Sequence, residues 1–192
     1  VLQHTLRTAH RLSDRFGLKL SGSLLTADEW AYTDPDEAAE AAKFAADPFF
    51  RQDLINSLGI DGAEADLRIS RIGNRNNDVE RWSGEGRLDW QVTGDATATF
   101  QTGVTNVSSG IELTGLGAAQ VEDWRYMYYQ GRFNWDRLFA NVYLNQSDAG
   151  DTYLLRTGQP IVDESTLFVG QVRHGFMPAS WQTLTYGVDY FR

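Results

Sequence analysis

Residues 81–92 read Arg-Trp-Ser-Gly-Glu-Gly-Arg-Leu-Asp-Trp-Gln-Val, and their alternate positions differ completely in character. Arg81, Ser83, Glu85, Arg87, Asp89 and Gln91 form one set, and Trp82, Gly84, Gly86, Leu88, Trp90 and Val92 form the other. Successive side chains of a strand point to opposite faces, whereas a helix would mix the two sets. The stretch therefore predicts a strand with one wet face and one apolar face.

The same alternation recurs on both sides of it. Phe16, Leu18, Leu20, Gly22 and Leu24 alternate with Lys19, Ser21 and Ser23, and Met127, Tyr129, Gly131, Phe133 and Trp135 alternate with Tyr128, Gln130, Arg132 and Asn134. Leu138, Ala140, Val142 and Leu144, then Leu184, Tyr186, Val188 and Tyr190, repeat the pattern. Weaker versions cover 1–11, 96–107 and 166–176. Eight strands are predicted, at 1–11, 16–30, 79–92, 96–107, 123–135, 138–147, 165–176 and 182–191.

Their connections alternate in length. Leu12–Arg15, Thr93–Asp95, Asp136–Arg137 and Met177–Trp181 are short, while 31–78, 108–122 and 148–164 are long. In an antiparallel meander alternate connections share an end, so tight turns gather at one end and long loops at the other. Transmembrane β-barrels show that asymmetry. Phe16, Trp90, Trp135, Phe176 and Trp181 sit beside the short turns, and Trp30, Trp82, Trp124 and Phe168 near the long loops, as two interfacial aromatic belts would. The expected fold is an all-β, antiparallel up-and-down transmembrane β-barrel of about eight strands.

Composition narrows the function classes. The chain has 192 residues, with 17 Lys+Arg against 26 Asp+Glu for a net charge of −9, which argues against a nucleic-acid partner. It has no Cys, so disulfides, thiolate metal sites and a Cys nucleophile are excluded. No apolar run is long enough for a transmembrane helix, but a transmembrane strand needs only about 9–11 residues.

The loop 31–78 carries its own helix signals. Asp34-Pro35 reads as an N-cap followed by a first-turn proline, ahead of a helical run over Asp36–Ala46. Asp47-Pro48 repeats the start signal, and Gly59 is a stop. Phe49, Phe50, Leu54, Ile55 and Leu58 give the second helix an apolar stripe, expected to pack on the barrel mouth or on neighbouring loops, with contact to a ligand or partner as the alternative.

Five segments carry a family resemblance: SDRFGLKLSGSLLTADEWAYTDPDE (13–37), ERWSGEGRLDW (80–90), IELTGLGAAQVEDWRY (111–126), GRFNWDRLFANVYLNQSDAGDTYLLRTGQPIVDES (131–165) and QTLTYGVDYF (182–191). Together they resemble the barrel region of TonB-dependent outer-membrane receptors. The likeness runs over most of the chain, rests on no short invariant motif, and lies in the barrel wall rather than in the plug. Such receptors have a plug inside a barrel of about 22 strands. This chain has no room for a plug, for a TonB-contacting segment or for that many strands. The resemblance therefore implies an early-barrel segment of a larger barrel in the bacterial outer membrane, with 31–78 as a helical extracellular loop. Its partners would be outer-membrane lipid, a plug with further strands, and TonB through the parent receptor. The function implied is uptake of a scarce nutrient, such as a siderophore or a glycan. A stand-alone eight-stranded barrel with a structural or adhesive role is the first alternative, and a soluble barrel around an apolar ligand is the second.

No catalytic set stands out, and no enzyme activity or cofactor is expected. His4, His10 and His174 show no metal-ligand spacing and fall on the predicted apolar face. Asn74, Asn76, Asn77 and Asp78, and separately Asp148, Asp151 and Asp163, supply oxygens of the kind calcium takes, but neither set matches a calcium loop, and turn chemistry accounts for them equally well. Gly110, Gly115 and Gly117 lack the Lys-Ser/Thr step of a phosphate loop and read as a flexible loop. Charges of both signs on the wet face, among them Arg81, Glu85, Arg87, Asp89, Arg132, Arg173 and Asp189, can pair across strands. Nearest the long loops, Trp124 and Tyr126 on the wet face and Tyr153 and Arg156 in a loop are the candidate ligand-binding residues, because aromatic and Arg side chains stack on sugars or grip acidic chelates.

Overall fold

The computed structural model describes residues Val1–Arg192. It is a nine-stranded antiparallel sheet. The strands are β1 (Leu2–Arg11), β2 (Phe16–Asp28), β3 (Asp78–Gln91), β4 (Ala96–Thr114), β5 (Gly117–Trp135), β6 (Leu138–Asp148), β7 (Tyr153–Leu154), β8 (Glu164–Ala179) and β9 (Gln182–Phe191). Eight of them form a meander in chain order, while the two-residue β7 leaves the path and pairs with the outer part of β5. β1 and β9 are the two edges, and each pairs with only one neighbour.

The register carries the alternation of one strand to the next. Leu18 faces Leu88, Leu88 faces Phe100, Phe100 faces Gly131, Gly131 faces Val142 and Val142 faces Gly170. Because the side-chain period is two, that one row places every apolar set on the same face. On the opposite face Asp89 faces Thr99, Thr99 faces Arg132, Arg132 faces Asn141, and Asn141 faces Gln171.

Short turns gather at one end, and adjacent turns bond each other. Gln91 N–H donates to the Arg15 carbonyl (2.8 Å), and Gly175 N–H to the Arg137 carbonyl (3.0 Å). Phe16 and Trp90 stack there with ring centroids 5.6 Å apart. β8 runs through Pro178 to Ala179, three residues beyond the expected strand's end at 176, because a register shift between Phe176 and Ala179 accommodates the proline, which has no N–H to give the ladder.

The expected loop at 108–122 is instead the overhanging part of the β4–β5 hairpin, closed by Gly115–Leu116 alone, with Gly117 at φ 124°. Ser108, Ser109, Gly110, Ala118 and Ala119 are small, so they carry no hydrophobic contrast and hide the period.

Three helices fill the connection from β2 to β3: α1 (Pro35–Ala46), α2 (Phe50–Leu58) and α3 (Gly62–Arg71). Asp34 caps α1 by accepting from Asp36 N–H (2.8 Å), and Gly59 at φ 65° ends α2. α2 begins at Phe50 rather than Pro48, because the Asp47 carboxylate takes the Phe49 N–H (2.8 Å) and holds 47–49 as a turn. α3 was not expected, although Asp61 accepts from Glu64 N–H (2.8 Å) in the Asp-x-x-Glu pattern of a capping box. The α2 stripe packs on its helical neighbours, with Phe50 edge-on to Phe44 of α1 at 5.6 Å, and leaves Phe49 and Leu58 exposed.

Only 20 of 192 residues are buried, and most lie in the outer hairpin and the 149–158 loop rather than between sheet layers. The only core cluster is Ala118, Tyr153 and Leu155, with Ile111 packed against it. The wall is thus a single sheet whose apolar face nothing in this chain covers: Leu20, Phe100 and Val172 are 46%, 51% and 50% exposed.

Candidate functional site

The loop end of the sheet is a packed cap. Leu155 joins three segments: its N–H donates to the Ala118 carbonyl (2.9 Å), and its own carbonyl accepts from Gly73 N–H (2.8 Å). Gln120 is fully buried, donates to the Gly110 carbonyl (3.0 Å) and accepts from Asn76 N–H (2.8 Å). A buried amide with both ends bonded fixes its neighbours, because either end left alone would cost about 1–3 kcal/mol. The Thr152 hydroxyl accepts from Glu122 N–H (3.1 Å).

Two ion pairs fasten α1 to this cap. Arg75 donates to both oxygens of the buried Glu37, each at 2.7 Å, and lies over the Tyr32 ring at 5.5 Å. Its pairing with Glu37 raises the guanidinium further above its ordinary range. Arg156 reaches Asp36 at 2.5 Å, while its Nε is buried without a partner.

The 149–163 loop touches α3 at Gly158, which has φ 65°; a Cβ there would sit 2.0 Å from the Arg68 carbonyl oxygen. Gly158→Ala should therefore force this contact apart and add left-handed backbone strain, for a loss of about 1–3 kcal/mol. Hydrogen exchange should show weakened protection at 149–160 and in α3, with the sheet unchanged. Unchanged protection in both would contradict the packing.

Trp124 and Tyr126 stand on the polar face just inside the cap, stacked at 5.9 Å with ring planes 13° apart. Trp124 Nε1 donates to the Ser147 hydroxyl (3.0 Å), which donates to the Asp163 carboxylate (2.7 Å). The Ser147 and Ser165 hydroxyls hold Asp163 below the usual carboxylate range. This relay fixes the Trp124 ring and leaves Tyr126 half exposed.

Further toward the turns, the polar face is tied across its strands. Lys19 lies 3.7 Å from Glu85, Glu85 accepts from the Tyr128 hydroxyl (2.9 Å), and that oxygen accepts from Gln101 (2.8 Å). Tyr128 lies over Gly103, where a Cβ would come within 2.5 Å of its ring. A second run links Gln130 to Asn141 (2.9 Å), Asn141 to Gln171 (3.0 Å) and Gln171 to Asp189 (3.2 Å). Arg173 lies 3.8 Å from Asp189, and Arg87 bonds Asp89 along its own strand at 2.8 Å.

These runs border a cleft of about 520 Å³ on the polar face, shaped by β1 to β5 and lined by Lys19, Glu85, Tyr126 and Tyr128 among others. No group of three or more His, Cys, Asp or Glu residues is placed to hold a metal ion.

No family model, curated protein or solved structure matches this chain. Its chemistry is read from its own geometry.

Of the four residues picked from sequence, the structure brings Trp124 and Tyr126 together and separates the other two from them. Tyr153 is 4% exposed: its hydroxyl donates to the Asn74 carbonyl (3.2 Å), the Arg71 guanidinium covers its ring at 4.6 Å, and burial pushes its pKa up. No ring face remains for a ligand. Arg156 pairs with Asp36 of α1, and its side chain stays 40% exposed. Ser147 and Asp163 position Trp124; sequence reasoning missed Ser147 and noted Asp163 only as a calcium-type oxygen. Ser147 continues the polar set of β6, so its face was legible, while Asp163 lies outside any periodic segment.

Proposed function

We propose that this chain is a wall segment of a TonB-dependent receptor barrel in the bacterial outer membrane, with its cap outside the cell and its short turns on the periplasmic side. The observation that carries this reading is the apolar face. From the row of Phe16, Trp90, Ala98, Phe133, Ala140 and Val172 to the row of Gly22, Gly84, Val104, Met127 and Gln146, that face holds no Asp, Glu, Lys or Arg. The first charges on it are Arg125, Asp148 and Glu164, which share one row, and then Glu80, all at the loop end. Residues 82–92 extend about 35 Å along the strand, or about 25 Å of thickness at a 45° tilt, which suits a bilayer's hydrocarbon core.

A single-layer sheet exposing such a face to water would aggregate, whereas lipid would cover it. Two shallow depressions on that face, of about 540 and 690 Å³, would be filled by acyl chains. No helix is long and apolar enough to cross a membrane, which says nothing of strands. The two edges, β1 and β9, need strand partners within a bilayer, because an unpaired backbone N–H or C=O has no partner in hydrocarbon. Further strands of a larger barrel supply them in this reading. The polar face would then line the lumen against a plug, and nutrient would enter past the cap. The family resemblance stands behind the choice of receptor over a small structural barrel.

Cysteine labelling of intact cells tests the orientation. Ala63→Cys in α3 should react with a membrane-impermeant maleimide, and Ser180→Cys in the β8–β9 turn should react only after the outer membrane is opened. Reaction at Ser180→Cys alone would invert the topology, and equal reaction would remove the membrane assignment.

A further inference from the structure

One row of the polar face is built of hydroxyls across seven strands. Thr5 faces Ser23, Ser23 faces Ser83, Ser83 faces Thr105, and Thr105 faces Tyr126. Tyr126 faces Ser147, and Ser147 faces Ser165. The alternation of strand faces does not require this, since the rows on either side carry Arg7, Glu85 and Asn145, or Leu25, Arg81 and Val107. The hydroxyl row crosses the 520 Å³ cleft, and its first five members line it. It lies two residues inside the row of Leu25, Arg81, Val107 and Trp124, on the side away from the long loops.

We infer that this cleft binds a neutral, polyhydroxylated ligand of the carbohydrate class, with Tyr126 as its stacking platform. This rests on the receptor reading and names the solute class for it. A hydroxyl donates once and accepts twice, as does each hydroxyl of a sugar, so a row of them meets a sugar edge without an orientation it must refuse. Ser23 and Ser83 already bond each other at 2.7 Å, within the distance range that a sugar hydroxyl would share. The Tyr126 ring is 50% exposed and backed by Trp124, so its position is set before a ligand arrives. An aromatic face of that kind takes the C–H face of a pyranose.

Charge separates this class from an anionic chelate. Lys19 and Glu85 offset each other across 3.7 Å, which leaves Arg7 as the one further cation lining the cleft. A multiply charged ligand would need a cluster of cations there.

The test uses the whole receptor of the proposed function, with both edge strands paired, in detergent micelles, titrated by calorimetry with maltohexaose, cellohexaose, xylohexaose and mannohexaose, and with a ferric tris-catecholate as the anionic comparator. At least one hexaose should bind, Tyr126→Ala should weaken it about tenfold, and Tyr126→Phe should stay within about threefold, because the ring remains. Heat-modifiable migration on gels verifies that each variant is folded. Silence with all four sugars, binding of the chelate in their place, or sugar binding indifferent to Tyr126→Ala would each overturn the inference. A protein that stays folded and monomeric without detergent would instead defeat the receptor reading, whatever the cleft binds.

Discussion

Val142→Arg should destabilise the sheet by about 2–4 kcal/mol in phosphatidylcholine vesicles, while Asn145→Arg on the same strand should cost less than about 0.5 kcal/mol. The two sites test the environment rather than the strand. Val142 is 43% exposed within the chain and Asn145 is also exposed, so in water neither would resist a charge strongly. Val142 lies in the row of Leu88 and Phe100 on the apolar face, whereas Asn145 faces Tyr128 on the polar face. Only an apolar phase against the first face makes an arginine there expensive, because its charge would leave water. Denaturant unfolding in vesicles reads the difference. Equal, small costs at both positions would remove lipid from the proposal and leave the face for a protein partner.

Glu37→Leu should cost about 3–5 kcal/mol, a value that follows from the burial of its partner. Glu37 and Arg75 side chains are 5% and 13% exposed and share two hydrogen bonds, so removing the carboxylate leaves a guanidinium shut away with its charge uncompensated. The double variant Glu37→Leu with Arg75→Met should recover most of the loss, since no charge then remains to be desolvated. The damage should be local. Hydrogen exchange should accelerate in 35–46 and around 73–77 while β3 to β6 keep their protection, because the wall's ladders do not pass through this pair. Protection of α1 unchanged by Glu37→Leu would show that the ion pair does not hold the helix.

The wall was legible residue by residue. Alternation located β1, β2, β3, β6 and β9 within about two residues, and all eight long strands at the right place in the chain. It could do so because each strand has one face that takes Leu, Val, Phe or Trp and another that takes charge, and a period of two is visible wherever the faces differ. The α1 and α2 helices were legible from Asp34-Pro35 and Gly59, because a cap must satisfy orphan backbone groups with particular side chains. Where the faces do not differ, the signal vanishes. Ala118, Ala119, Gln120 and Val121 are all buried, so the outer hairpin reads as a loop although it is strand.

Within the candidate site, Trp124 and Tyr126 shared a face by parity, and their stacking then required only the backbone of one strand. The fate of Tyr153 and Arg156 was not in the local sequence. Tyr153 is buried because Arg71 and Asn74, some 80 residues earlier in the chain, close over it, and Arg156 is engaged by Asp36. Those partners come together only when α1, α3 and the 149–163 loop converge on the outer hairpin. The hydroxyl row is of the same kind. Each of its residues follows its own strand's alternation, but their alignment depends on six register relations between neighbouring strands. The sequence by itself determined which residues share a face, since that depends on neighbours two apart. Which residues share a row, and which loop side chains remain open to a ligand, depended on pairings between distant segments, and only the tertiary structure decided them.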